Sequence, residues 1–311
     1  MLFKSLFWAS YLALPLLLVG LAVFLKQWRL TQRGAMLVGA LGAFIAASVF
    51  AYARFIEPRI LLVKHSDIVL QRAAAQGHGP TLKLALFSDT HFGIFTHTMP
   101  MRRIVDRINK EAPDAVMIAG DFLYYLPPDE IPGALAALAD LHAPTFAVLG
   151  NHDVGFPGPI YTEELYAALS ALDVSLVENR AQVVTLAGHE VIVAGTSDLW
   201  EQRQDFGFSA DLPSLPLFLL THNPDMAFNV PAGLDYDLML AGHTHGGQVR
   251  IPVLIHKVIP TEHPFDKELH TVQIGPNKRL IFVTTGTGMV GVPFRFNMPP
   301  RIDILTIMLP S

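Results

Sequence analysis

Five short polar clusters constrain this chain more than any other feature. They are Asp89-Thr90-His91, Gly120-Asp121, Gly150-Asn151-His152-Asp153, Thr221-His222 and Gly242-His243-Thr244-His245. Each closes an apolar run, as His243 and His245 do after Leu238-Met239-Leu240. A short apolar run bounded by turn residues reads as a buried strand, and glycine beside the polar cluster permits a tight turn that brings side chains into one pocket. Five strands that all end in polar residues predict a sheet with its site along one edge, where open α/β sheets build sites.

Between the clusters the pattern alternates. Leu82–Ser88, Ala115–Ala119 and Thr145–Leu149 read as strands, and Met101–Lys110, Ile131–Leu141 and Glu163–Leu172 as helices. This alternation predicts an α/β body around a largely buried sheet. After Asp173 the texture becomes strand-rich. Val174–Glu178, Val183–Leu186, Val191–Ala194, Phe218–Thr221, Tyr236–Ala241, Gln248–Ile251, Thr271–Ile274, Leu280–Thr285 and Ile304–Leu309 are expected strands, and two packed sheets would absorb them.

The clusters offer carboxylate, imidazole and amide oxygen, the donors of hard to borderline divalent cations. Seven such ligands exceed one tetrahedral zinc site. If one aspartate bridges, they suit two metals about 3.5–4 Å apart, which would hold a hydroxide and clamp the oxygens of an in-line displacement at phosphorus, with a spare histidine to protonate the leaving group. Singly, each residue has an ordinary role: Asp89 and Asp121 as caps or turn formers, Asn151 as a turn residue, His222 as a loop histidine. Jointly, five independent turns have no structural reason to present only metal ligands. His65, His78, His97, His142, His189, His256, His263 and His270 lack that context and read as surface or loop residues.

Asp-x-His, Gly-Asp, Gly-Asn-His-Asp, a lone His and Gly-His-x-His, in this order, resemble the calcineurin-like metallophosphoesterases over about residues 80–311. Gly242-His243-Thr244-His245-Gly246-Gly247-Gln248 and the late Thr285-Gly286-Thr287-Gly288-Met289 are similar to the membrane-linked bacterial branch of YkuE and YaeI type. Pro293-Phe294-Arg295, Pro299-Pro300 and the final apolar strand share that likeness. Arg301 departs from it, since that branch often has an acidic residue there. The resemblance implies a four-layer αββα sandwich. It implies that Asp89, His91 and His245 hold one metal, Asn151, His222 and His243 a second, that Asp121 bridges, and that His152 is the acid. It implies two divalent ions (Mn, Fe, Zn or similar) and hydrolysis of phosphate mono- or diesters or pyrophosphates. A membrane-tethered metal- or phosphate-binding regulatory module without turnover is the alternative, but it would need lost ligands, and none of the seven is lost.

The N-terminal part is different. No charge falls between Lys4 and Lys26, or between Arg33 and Arg54, and each gap is long enough to cross roughly 30 Å of hydrocarbon as a helix. A two-helix transmembrane hairpin is expected over residues 1–54, with spans at about 5–25 and 35–53, connecting strands over 55–80 and the metallophosphoesterase domain over 81–311. A cleaved signal peptide is the rival for residues 5–25; the length of the stretch, the lack of an Ala-x-Ala site and the second apolar segment argue against it. Trp8, Tyr11 and Trp28 suit interfacial anchoring, and Gly39, Gly42, Ala43 and Ala46 suit close packing of the two helices. The expected location is the cell (inner) membrane, multi-pass. Lys26, Arg29 and Arg33 nearly balance Lys4, Arg54, Arg59 and Lys64, with a slight lean to a cytoplasmic body.

Charge narrows the partners. Residues 1–79 carry eight Lys and Arg against two Asp and Glu, and the rest fourteen against twenty-five. The basic part suits anionic lipid headgroups, and the acidic body argues against a nucleic-acid binder. No cysteine is present, so thiol chemistry is excluded. Phe92-Gly93-Ile94-Phe95 and the loop Val253–Leu269 flank metal motifs and suggest an amphiphilic substrate, a small-molecule or lipid phosphate; the alternative is that both fold into the core. Arg295 is a candidate for a phosphate oxygen or a plain surface arginine. No obligate protein partner is evident in the sequence.

Overall fold

The computed structural model describes residues 15–26, 33–74, 77, 79–95, 99–251, 259–275 and 277–310. Two six-stranded sheets form the body. The first contains β1 (Leu62–Val69), β2 (Thr81–Phe87), β4 (Ala115–Ala119), β6 (Thr145–Val148), β7 (Val174–Leu176) and β14 (Arg301–Met308), in the order β1-β14-β2-β4-β6-β7. The second contains β8 (Arg180–Leu186), β9 (His189–Gly195), β10 (Leu217–Leu220), β11 (Leu238–Ala241), β12 (Glu268–Ile274) and β13 (Asn277–Val283), in the order β12-β13-β11-β10-β9-β8. β3 (Phe92–Gly93) and β5 (Leu123–Tyr124) form a small ribbon above the first sheet's edge. The central strands β2, β4 and β6, and likewise β9, β10, β11 and β13, run parallel, so within each group the C-terminal ends lie on one edge.

The strands are apolar on both faces because both faces are covered. Leu84, Leu86, Met117, Ala119, Val148, Phe218, Leu220, Leu240 and Phe282 meet between the sheets. The alternate residues Ala85, Phe87, Val116, Ile118 and Ala147 face outward to α4 (Met101–Glu111), α5 (Ile131–Leu135) and α6 (Thr162–Ser170). A short α3 (Gln71–Ala74) follows β1. On α4 the inward stripe is Met101, Ile104, Val105 and Ile108, at helical spacing. Each of the three β-branched residues in that stripe contributes roughly 1.5–3 kcal/mol by burial.

The outer face of the second sheet is finished differently. Ile192, Ala194, Leu219 and Met239 pack under Met226, Leu234, Phe265 and loop residues. The short 3-10 turns Leu199–Glu201, Gly207–Asp211 and Pro224–Phe228 stand there, so among the described residues the fourth layer of the expected αββα sandwich holds no long α-helix. Pro213, Pro216, Pro224 and Pro231 in these connections interrupt any longer helix. Gln248–Ile251 is not a strand; only Val249 bridges, to Phe296. The expected helix Ile131–Leu141 is α5 followed by a 3-10 turn at Ala136–Asp140. The segment 55–80, expected to hold connecting strands, supplies one long strand, β1, which pairs with β14 along its whole length.

At the N-terminal side, α1 (Pro15–Lys26) is a short apolar helix and α2 (Arg33–Ala51) continues through π and 3-10 turns to Arg59. One helix, Gly34–Arg59, is long and apolar enough to cross a membrane, and Leu37, Val38, Leu41, Phe44 and Ile45 on it are exposed. A hairpin of two spanning helices is not seen among the described residues. Residues 5–14 of the first expected span, Trp28, and Arg29 of the basic loop lie outside them, as do Lys4, Trp8 and Tyr11.

Candidate metal centre

The C-terminal edges of both sheets meet, and every predicted ligand stands there: Asp89 and His91 beyond β2, Asp121 beyond β4, Asn151 beyond β6, His222 beyond β10, His243 and His245 beyond β11. All seven are buried. Five of them, Asp89, His91, Asp121, His243 and His245, have left-handed backbones. The chain turns sharply off each strand, and cross-links hold the turns. Asp89 N–H donates to Gly120 O at 2.9 Å, His91 N–H to Asp121 O at 3.1 Å, and Gly242 N–H to His222 O at 2.9 Å. Gly150 and Gly242 permit the close approach. A Cβ on Gly150 would lie 2.2 Å from Asp121 Oδ1, and one on Gly242 would lie 2.5 Å from Ser88 Oγ.

Two donor groups result, Asp89, His91 and His245 in one and Asp121, His222 and His243 in the other. In the first, His245 Nε2 lies 3.3 Å from Asp89 Oδ1 and 3.0 Å from His91 Nε2. In the second, His222 Nε2 lies 3.1 Å from Asp121 Oδ2, from Asn151 Oδ1 and from His243 Nδ1. Asp121 Oδ2 is also 3.4 Å from His91 Nε2, so one oxygen faces both groups.

Outer contacts aim these atoms. His222 Nδ1–H donates to Ala119 O at 2.7 Å and His243 Nε2–H to Pro260 O at 3.0 Å, which turns the other ring nitrogen of each inward. The Asn151 amide N–H donates to Phe156 O at 2.5 Å and leaves Oδ1 inward. Asp89 Oδ1 has no hydrogen-bond donor although fully buried. Buried oxygen and nitrogen lone pairs facing one another are the donor set a divalent cation fits.

Electrostatics agrees. Burial pushes His91 and His243 down to about 3, and burial, reinforced by the neighbouring His91 and Arg295, takes His245 well below the usual histidine range. These imidazoles stay neutral, as ligands must. Burial opposes ionisation of Asp121, but the neighbouring His222 and His152 outweigh it and hold the carboxyl well below its usual range. Burial opposes charge on His222 as well, yet Asp121 raises it to about 10. Asp89 is pushed up to about 7, chiefly by burial.

His152 sits at the mouth, half-buried. Its backbone N–H donates to Asp121 Oδ1 at 2.9 Å and its Nδ1–H to Pro157 O at 2.9 Å, so Nε2 is the free ring nitrogen. Asp153 is elsewhere occupied: its carboxylate accepts the N–H groups of Phe122, Leu123 and Gly150 at 3.0–3.1 Å and ties two site loops together.

A cavity of about 420 Å³ opens over Asp121, Asn151, His152, His243 and His245, and its wall is mostly apolar: Tyr124, Pro157, Trp200, Val249, Pro260, Val290 and Val292. The Trp200 ring stands edge-on to His243 at 4.9 Å. Trp200, Val290 and Val292 carried no motif; only the site's shape reveals them. Buried Asp198, whose Oδ1 accepts Trp200 N–H at 2.8 Å, was also unmarked in the sequence.

Three expectations change. Ile94 and Phe95 are buried against Tyr124 and Met289, so they back the wall instead of lining the cavity. Of Val253–Leu269, residues 253–258 lie outside the described residues, Pro260 lines the cavity and Phe265 is buried in the core. Arg295 is neither at the surface nor facing the cavity. It is fully buried, and its guanidinium donates to Gly288 O, Met298 O and Thr285 O, so three carbonyls satisfy it. Arg301 is buried too, paired with Asp303 at 3.0 Å and Glu268 at 3.3 Å, which accounts for a base at that turn. Of the remaining histidines, His65, His142, His189, His263 and His270 stand apart from the centre, and His78, His97 and His256 lie outside the described residues.

This donor set on the joined edges of two sheets defines a class, the metal-dependent phosphoric ester hydrolases. A family model described as calcineurin-like phosphoesterase matches residues 82–247. The chain belongs to the calcineurin-like phosphoesterase family, which uses divalent metal ions. It is similar to phosphodiesterase YaeI of Escherichia coli, 29% identical over 287 residues, covering 89% of this chain and 99% of that protein. It is similar to the metallophosphoesterase YkuE of Bacillus subtilis, 29% identical over 279 residues, covering 86% and 93%. A third relative is UDP-2,3-diacylglucosamine pyrophosphatase LpxG of Chlamydia muridarum, 26% identical over 322 residues, covering 86% and 95%.

Proposed function

We propose that this chain hydrolyses a phosphodiester or pyrophosphate on an amphiphilic molecule at a membrane surface, with two divalent ions. Asp89, His91 and His245 would hold one ion and Asn151, His222 and His243 the other, with Asp121 facing both donor groups. The observation that carries this reading is the single Asp121 oxygen 3.4 Å from His91 and 3.1 Å from His222. When bound, the ions would supply Lewis acidity toward phosphoryl oxygen and an activated water.

The chain's own residues do the rest. His152 Nε2 delivers a proton to the leaving oxygen, with Nδ1–H anchored on Pro157 O so that the ring cannot turn away. The wall of Trp200, Val249, Val290 and Val292 takes the apolar part of the substrate and excludes water beside the phosphoryl group. The apolar helix Gly34–Arg59, exposed over most of its length and read here as a membrane anchor, holds the body near lipid. The relative named for an acylated sugar-nucleotide pyrophosphate supports the amphiphile, and the relative named a phosphodiesterase supports the bond type.

The test uses the full chain in detergent. Two ions per chain are expected by elemental analysis, and an acyl-bearing phosphodiester or pyrophosphate should have a lower KM than its deacylated counterpart. A Val292→Asp variant should raise KM for the acylated substrate alone. Equal KM values for acylated and deacylated substrates overturn the amphiphile, and one ion or none overturns the dinuclear site.

A further inference from the structure

The foot of α2 is built into the body. Ala53 and Glu57 are buried, although the helix above them is exposed. Ala53 O accepts the Arg295 N–H at 3.0 Å. The Glu57 carboxylate accepts the Asn297 N–H at 3.0 Å and the Met298 N–H at 2.5 Å. Phe50 meets the Phe294 ring edge-on at 6.0 Å. One helix foot therefore grips Phe294, Arg295, Asn297 and Met298 of a single loop.

The same loop, residues 284–300, reaches the metal centre at three points. Gly288 N–H donates to Asp89 O at 2.6 Å. Arg295 Nη2 lies 3.4 Å from His245 Nδ1 while its other nitrogens hold Gly288 O and Met298 O. Val290 and Val292 form part of the cavity wall, and their carbonyls accept from the Gln248 amide at 3.0 and 2.9 Å. Met298 is pivotal: Glu57 fixes its N–H and Arg295 fixes its carbonyl.

We propose that Glu57, on the helix foot, is a positioning residue for the metal centre. By holding the N–H groups of Asn297 and Met298 it sets the loop that carries Arg295 against His245 and backs Asp89. A buried carboxylate accepting two backbone N–H groups is a stiff anchor, since charge-assisted hydrogen bonds are the strong ones. Contacts behind a ligand typically change metal affinity 10–100-fold when removed. Glu57 touches neither ligand nor substrate, so its effect must pass through the loop. The consequence is that the apolar helix is part of the hydrolase and not a detachable tether.

This inference rests on the proposed metal reading, and the experiment separates the two. Full-length wild type, Glu57→Gln and Glu57→Ala are purified in detergent and titrated with Mn2+ by calorimetry. Phe294→Ala loosens the same grip without burying a polar group and covers the case in which Glu57→Ala fails to fold. Asp237→Asn is the control, because Asp237 is a part-buried carboxylate holding Arg72 and the Leu217 N–H far from the centre. The expected result is about 10–100-fold weaker Mn2+ binding in Glu57→Ala, a smaller loss in Glu57→Gln, which keeps one acceptor oxygen, and none in Asp237→Asn. The kcat of Glu57→Gln should return toward wild type at saturating Mn2+. Amide hydrogen exchange in the metal-free Glu57 variants should quicken at 286–298 and not in the sheets. Wild-type Mn2+ affinity in folded Glu57→Ala, or an equal loss in Asp237→Asn, overturns the assignment. A wild-type chain that binds no Mn2+ overturns the metal reading itself, and this assignment falls with it.

Discussion

Replacing Gly150 by alanine adds one methyl group at the point where the loop after β6 crosses Asp121. The new Cβ would lie 2.2 Å from Asp121 Oδ1, 2.6 Å from its backbone nitrogen and 2.8 Å from its carboxyl carbon. Ordinary contact begins near 3.4 Å, so the carboxylate must retreat by about 1 Å, and backbone on both sides prevents a cheap escape. The same oxygen accepts the His152 N–H at 2.9 Å, so the proposed acid is dragged along. Overpacking of this kind costs about 1–3 kcal/mol of stability. Its effect on turnover is larger, because a misplacement of about 1 Å costs on the order of 100-fold. Gly133→Ala is the matched control: nothing lies within 4 Å of its Cβ, and it sits in α5, where alanine is the better helix former by about 0.5–1 kcal/mol. The assay is kcat on an aryl phosphodiester, metal content and the thermal midpoint for both variants. A Gly150→Ala enzyme that keeps two ions and turns over within about threefold of wild type would refute the argument that this glycine exists to let Asp121 approach.

Other outcomes follow from the same geometry. His152→Gln should keep both ions and lose about 10²–10⁴-fold in kcat, with the loss smallest for substrates whose leaving group needs no proton; an unchanged kcat on a poor leaving group removes His152 from the mechanism. Metal loading should release protons. His222, raised to about 10, is protonated in the metal-free centre at pH 8 and must lose its proton to bind, so affinity rises with pH up to that value. Calorimetry at pH 8 in buffers of different ionisation enthalpy should report about one proton released, and none would contradict the assignment of His222 as a ligand. Asp153→Ala strands three buried N–H groups, at about 1–3 kcal/mol each, and should lower the midpoint of denaturation well before it alters KM.

The centre was legible because its residues are polar where the neighbouring pattern is apolar. Asp89, Asp121 and Asn151 each follow the buried apolar end of a strand, and the order of the motifs is local information. The strands were legible for the same reason, down to Ala115–Ala119. What escaped depends on three-dimensional company. Arg295 reads as a phosphate-binding or surface arginine until the fold buries it and three carbonyls accept its guanidinium N–H groups. Phe92–Phe95 reads as an exposed flank until Tyr124 and Met289 cover it. Gln248–Ile251 has strand-like residues, but Gln248, at φ 49°, turns away from β11 to hold the 290–294 carbonyls.

The left-handed backbones carry one more consequence. A non-glycine residue in that region costs about 1–2 kcal/mol, so Asp89, His91, Asp121, His243 and His245 together store an amount comparable to the whole stability of a domain. Such a turn persists only where its surroundings over-determine it. The sheets do this from one side, through Asp89 N–H on Gly120 O and His91 N–H on Asp121 O. From the other side the loop 284–300 presses on Asp89 through Gly288, whose own Cβ would fall 2.1 Å from Thr90 O. Cations that bind only this arrangement would add RT ln(1 + [M]/Kd), about 2.7 kcal/mol at a hundredfold excess over Kd. The metal-free chain should thus unfold at a lower temperature, with amide exchange fastest at 89–91 and 243–245. If chelation leaves exchange at those turns unchanged, the sheets alone hold the ligands in place, and the strain plays no part in metal affinity.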